Sequence, residues 1–142
     1  MEVHRSENAS VLENVAIFEG IPVTAKICTL GWVQAAKAER TTFIVTGNGL
    51  LAVQQLTRIP ARRITWHNIA PIARESVEQG KPLLHPDTTF WPDIETQSNH
   101  IAGYVDCAET IYLKVQVDDR SAEGYVYLGQ DLRDGLTLAI EF

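Results

Sequence analysis

No stretch of this 142-residue chain reaches the roughly 18 consecutive apolar residues that a membrane-spanning helix needs. Its first residues, Met1-Glu2-Val3-His4-Arg5-Ser6-Glu7-Asn8, lack the apolar centre of a secretion signal, so neither a membrane nor signal-driven export is expected. Cysteine is nearly absent: Cys28 and Cys107 are the only two, each set among residues that read as strand. That is too few for a disulfide scaffold, and free cysteine usually packs as a small buried hydrophobe. Two buried thiols in a reducing, cytoplasmic setting are therefore expected, with a Cys28–Cys107 bridge as the alternative. Neither cysteine has a base or helix N-terminus nearby in sequence to make it a reactive thiolate.

Positive charge is scarce as well. Lys and Arg number 12 against 18 Asp and Glu, a net charge of −6. The deficit lies in residues 81–142, which hold 4 basic and 11 acidic residues, whereas residues 1–80 hold 8 and 7. The one basic cluster, Arg58-Ile59-Pro60-Ala61-Arg62-Arg63 followed by Trp66 and His67, has the residue types that hold phosphates and stack on bases. In an acidic domain it reads better as a solvated face or as a partner for the acidic half, and nucleic acid is disfavoured.

Motifs of known chemistry are missing too. Gly47-Asn48-Gly49 lacks the G-x-G-x-x-G spacing and the following helix of a phosphate-cradling loop. None of Ser6, Ser10, Ser76, Ser98 and Ser121 sits in G-x-S-x-G, and neither H-E-x-x-H nor C-x-x-C occurs. Asp131-Leu132-Arg133-Asp134-Gly135 lacks the alternating ligands of a calcium loop. No cofactor is implied.

What the chain does contain is an ordinary globular composition, 45% hydrophobic and 21% charged, of the size of one domain spanning 1–142. Strand signals dominate. Glu13 to Phe18 and Ile21 to Leu30, separated by Glu19-Gly20, read as a hairpin. Thr42 to Thr46 and Leu50 to Leu56, around Gly47-Asn48-Gly49, read as a second, with Gly49 at a positive-φ position. Thr110 to Asp118 alternates, putting Ile111, Leu113, Val115 and Val117 on a core face and Tyr112, Lys114 and Gln116 on a wet one. Tyr125 to Leu128 is a short strand, and Leu136, Leu138, Ile140 and Phe142 alternate into a last, buried one.

Arg62 to Trp66 reads as a short strand entering the single convincing helix, about residues 70–79, with Pro71 in its first turn and Gly80 as its stop. Its narrow stripe of Ile72, Ala73, Ser76 and Val77 suits a helix lying on a sheet. The fold class expected is mainly β or α+β, an antiparallel barrel or sandwich with one short helix packed on it.

Residues 80–100 follow neither period. Gly80, Pro82, Pro86 and Pro92 punctuate Leu83, Leu84, Phe90 and Trp91, which describes a long connection pinned by apolar side chains. Trp66, His67, His85, Phe90, Trp91, Asp93 and His100 supply the mixture of aromatic and polar groups found at binding sites, and they are the candidate ligand- or partner-binding residues. His85, Asp87, Asp93 and His100 are metal-compatible types that match no metal motif, and Ser98 and His100 could share a strand face.

The function expected is a non-catalytic binding or assembly protein using this aromatic-rich loop. The alternatives are a small-ligand-binding β-barrel, or a hydrolase or metal-dependent enzyme using His85, Asp93 and His100. The partner is a protein or a small molecule. Apolar strand faces in so small a chain favour a homodimer.

Overall fold

The computed structural model describes residues 1–5, 11–40, 43–47, 49–118, 124–128 and 135–142. In chain order the described elements are β1 (Glu2–Arg5), β2 (Val11–Leu12), β3 (Asn14–Glu19), β4 (Ile27–Gln34), β5 (Phe43–Gly47), β6 (Leu51–Leu56), α1 (Trp66–Glu78), β7 (Leu83–Leu84), β8 (Ser98–Val105), β9 (Thr110–Val117), β10 (Gly124–Leu128) and β11 (Gly135–Glu141). The strands form three sheets in the orders β2-β1-β10-β5, β11-β4-β8 and β3-β9-β6-β7. Every pairing is antiparallel. None of the sheets closes into a barrel, so of the two architectures expected it is the sandwich with a helix that forms.

One core joins the three sheets. The first contributes Val3 and Val126, the second Cys28, Leu30, Trp32 and Val105, and the third Leu51, Val53 and the odd-numbered residues of β9. β9 shows how the sequence builds this. Ile111, Leu113, Val115 and Val117 are buried and their even-numbered neighbours half-buried, as the alternation predicts. The face expected to be wet is partly roofed by α1, whose Ile69 and Ile72 pack with Leu56, Val15 and Tyr112. β6 therefore lies between two layers, and all six of its residues are buried.

Both expected hairpins are absent. β3 joins the third sheet and β4 the second, because the chain after Gly20 (φ +73°) makes a bend closed by Ala25 N–H donating to Pro22 O (3.0 Å), and strand structure resumes only at Ile27. β5 likewise pairs with β10, while β6 pairs with β9 and β7. The positive φ of that connection belongs to Gly47 (+64°), not Gly49. Gly49 is needed for space: a Cβ there would lie 2.5 Å from the backbone nitrogen of Thr89. Its carbonyl accepts from the backbone N–H and the hydroxyl of Thr88 at 2.8 and 2.9 Å, tying the segment to the loop after β7 rather than folding it back on β5. Alternation identifies a strand but not its partner, and these glycines serve as corners between sheets. Asn48 and Asp131 to Asp134 lie outside the described residues.

α1 begins earlier than the sequence suggests. Thr65 is its N-cap: Thr65 Oγ1 accepts from Asn68 N–H (3.3 Å) while Asn68 Oδ1 accepts from Thr65 N–H (2.7 Å), a reciprocal box that stops the expected strand at 62–66 from forming. Pro71 consequently sits inside the helix, and Val77 is exposed. Of the basic cluster, Arg58 pairs with Glu75 of α1, an intramolecular partner, though one from the first 80 residues and not from the acidic half that was expected. Phe142 is exposed rather than buried, whereas Leu136, Leu138 and Ile140 pack on the core.

The free thiols are corrected as well. Cys28 and Cys107 form a disulfide across a sequence separation of 79, with a Cα–Cα distance of 5.4 Å. The register explains it: Cys28 lies opposite Val105, which brings the first residues beyond β8 to its side. The β8–β9 connection is fastened again by Gln55 of β6, whose Nε2 donates to Asp106 O (2.9 Å) and whose Oε1 accepts from Asp106 N–H (2.8 Å). Lys81 Nζ adds an ion pair to Asp106 at 3.2 Å.

Candidate functional site

The irregular segment after β7 is ordered around Trp91. Asp87 Oδ1 accepts from Thr89 N–H (2.9 Å), and a 3-10 turn over Trp91–Asp93 follows, with Phe90 as its N-cap and Pro92 inside it. The Trp91 ring is 8% exposed; it meets Trp32 edge-on at 5.6 Å, Phe43 at 6.2 Å and the His100 ring in a stack at 4.0 Å. Its carbonyl accepts from Nε2 of the fully buried Gln34 at 2.6 Å. That bond fixes Gln34 Oε1 as the acceptor for His100 Nε2 at 2.7 Å, so the neutral imidazole carries its proton on Nε2. Arg40 stands over the Phe43 ring at 5.6 Å and donates to the carbonyls of Trp91, Pro92 and Ile94, which close the 3-10 turn. Two donors of this node, Trp32 Nε1 and Arg40 Nε, are buried with no hydrogen-bond partner among the described residues, a cost that the surrounding ring contacts must offset.

Burial depresses the pKa of His100 below its ordinary 6.5. The unfolded chain thus binds a proton more readily than the native one, and stability falls as pH drops from about 6.5 through the lowered native value. Urea midpoints measured between pH 7.5 and 5 should fall on acidification, and His100→Gln should flatten that dependence. An equal slope in the variant would remove His100 from the account.

The candidate residues named from sequence are divided among several places. Trp91 and His100 meet in the node. Phe90 is 72% exposed beside it, and Asp93 is exposed. His85 Nδ1 lies 3.2 Å from the buried carboxylate of Asp118. Trp66 and His67 stand exposed on the first turn of α1, with Lys114 Nζ 5.4 Å from the Trp66 ring centroid. His85 and His100 are thus engaged by different partners, and Ser98 Oγ donates to Thr96 O. Among the described residues no group of three or more His, Cys, Asp or Glu side chains is arranged to hold a metal ion.

Sequence reading missed Trp32, Gln34, Arg40 and Phe43. A signal existed for Gln34, which shares the inward register of Cys28, Leu30 and Trp32 along β4 and so must be buried with its amide satisfied. Arg40 gave none.

A second feature lies on the other side of the sheet that carries this node. Opposed residues share a face, so register groups Thr29 with Tyr104 and Ala139, Gly31 with Ile101 and Thr137, Val33 with Asn99 and Gly135, and Ile27 with Glu141, all away from the core. Only Glu141 among them is charged. Ile101 and Tyr104 on β8 stand 80% and 71% exposed beside the small residues of β4 and β11, and the face encloses a hollow of about 490 Å³. Its floor is kept low at Gly31, where a Cβ would lie 2.7 Å from the carbonyl oxygen of His100.

Compared with known proteins, the chain matches no family, no curated protein and no solved structure. No helix in the described residues is long and apolar enough to cross a membrane.

Proposed function

We propose that this chain is a non-catalytic binding and assembly protein that docks through the outer face of the β11-β4-β8 sheet, its partner being a second copy of itself. The observation that carries this is the uncharged composition of that face. A sheet face turned to water normally alternates to polar and charged residues, whereas this one offers Ile27, Val33, Ile101, Tyr104 and Ala139 with a single carboxylate at its end. A wall of bulky β8 side chains beside a trough of small ones is self-complementary under a two-fold axis, each wall filling the other trough. In this reading the aromatic loop works from behind: Trp91, His100 and Gln34 hold β4 and β8 in place, and Trp91 is an anchor rather than a contact. The Cys28–Cys107 disulfide favours an oxidising setting over the reducing one that two free thiols would suit.

Sedimentation velocity should show a concentration-dependent dimer in the micromolar range. Ile101→Glu and Tyr104→Glu should give monomers with melting temperatures close to that of the parent, since neither side chain is buried. A parent chain that stays monomeric at high-micromolar concentration would sink the proposal.

A further inference from the structure

The sharpest asymmetry of charge in the chain lies around the entry to α1. Residues 40–74 hold 5 arginines and no acidic residue, whereas the rest of the chain holds 7 basic and 18 acidic residues. Two of these arginines are engaged within the fold, Arg40 by the carbonyls around Trp91 and Arg58 by Glu75. Arg74 is followed one helical turn later by Glu78. The uncompensated charge is therefore concentrated in one stretch, Ala61 to His67, whose seven successive residues are all exposed. Among the described residues neither Arg62 nor Arg63 has an ion-pair partner, and beside them Ile64 and Trp66 are 37% and 58% exposed.

This ridge is held from behind. Asn68 Nδ2 donates to Arg63 O (2.8 Å) and Asn68 Oδ1 accepts from Thr65 N–H (2.7 Å), so the backbone on both sides of Ile64 is fixed and little ordering is needed on contact. Lys114 Nζ stands over the Trp66 ring, which therefore offers only part of its surface outward.

Cations and apolar side chains interleaved on an outward-facing ridge favour one kind of partner. A single-stranded nucleic acid would satisfy Arg62 and Arg63 but leave Ile64 in water, and it needs a row of stacking platforms where this stretch has one exposed aromatic ring. An acidic peptide needs a groove, and the hollow of about 190 Å³ beside the ridge is lined by Glu13, whose carboxylate repels acidic side chains. A bilayer carrying anionic phospholipid needs no groove. Its phosphates lie in a plane with an apolar layer just beneath, so the guanidinium groups and the indole are accommodated together.

We infer that Ala61 to His67 form a peripheral membrane-contact surface, Arg62 and Arg63 pairing with anionic lipid headgroups while Ile64 and Trp66 enter the interfacial layer. The same anionic surface repels the acidic remainder of the chain, which orients the molecule with the first turn of α1 toward the lipid.

The full chain is mixed with vesicles of equal parts phosphatidylglycerol and phosphatidylcholine, with vesicles of phosphatidylcholine alone, and with a single-stranded oligonucleotide. Trp32 and Trp91 are buried, so a blue shift of tryptophan emission reports Trp66. Anionic vesicles should sediment the protein and produce that shift, and neutral vesicles should bind at least about tenfold more weakly. Arg62→Gln and Arg63→Gln should each weaken partitioning about fivefold, whereas Arg74→Gln, beside Glu78, should weaken it less than about twofold. Trp66→Ala should weaken sedimentation and abolish the shift. All four variants should melt close to the parent, since each replaces an exposed side chain. No sedimentation with anionic vesicles, equal binding to neutral ones, indifference to Arg62 and Arg63, or tighter binding to the oligonucleotide would each overturn the inference. Ile101→Glu should still bind anionic vesicles with the same dependence on Arg62 and Arg63, which keeps this outcome separate from self-association through the other sheet.

Discussion

Trp91→Ala is expected to lower stability by about 3–5 kcal/mol, the range for truncating a buried aromatic side chain. Burial alone justifies the figure, and the surroundings give no easy way to close the gap: Trp32, Phe43 and His100 come from β4, β5 and β8, which belong to two different sheets. Losing the indole also removes the stack that steadies His100 over Gln34. The comparison is Phe90→Ala one residue earlier, an exposed ring whose removal should change stability by no more than about 0.5 kcal/mol. Thermal and urea unfolding of both variants decide the matter. Equal effects would mean that the loop is not pinned by Trp91.

The disulfide should produce the next largest effect. Replacing Cys28 and Cys107 together by alanine avoids burying a new hydroxyl and should cost about 2–5 kcal/mol, toward the upper part of that range because the bridge closes a long loop. The same bridge predicts that protein unfolded without reductant has no titratable thiol, and that reductant lowers the melting temperature of the parent but not of the double variant. Two reactive thiols in the unreduced, unfolded chain would refute it.

How far the sequence could be read follows from which forces are local. The alternation in β9 is complete in itself, since each residue's face is set by its own pleat, and it is legible to the residue. The helix was legible by period but not by boundary, because Pro71 drew attention as a starter while the Thr65–Asn68 box, a weaker pattern, is what sets the first turn. Pairing was not legible at all. Gly47 to Gly49 carries the composition of a tight hairpin, yet the residues on its two sides are drawn to β10 and β9 by apolar faces distant in sequence. The same limit hid the disulfide, which depends on the β4–β8 register. Within the candidate site, Trp91 and His100 were legible as types worth naming, but Gln34 and Arg40 are tied to the loop through carbonyls 51 to 57 positions away.

Gln55 presents to Asp106 the donor and acceptor that a neighbouring peptide unit would, although the two residues are 51 apart in the chain. The Asp106 amide lies outside every strand, yet its protection from solvent exchange is set by whether β6 stays in place between its two covering layers. Hydrogen exchange at this connection is therefore expected to report the opening of the centre of the molecule, not the fraying of a loop, because the group that covers the amide is carried by a buried strand of another part of the chain.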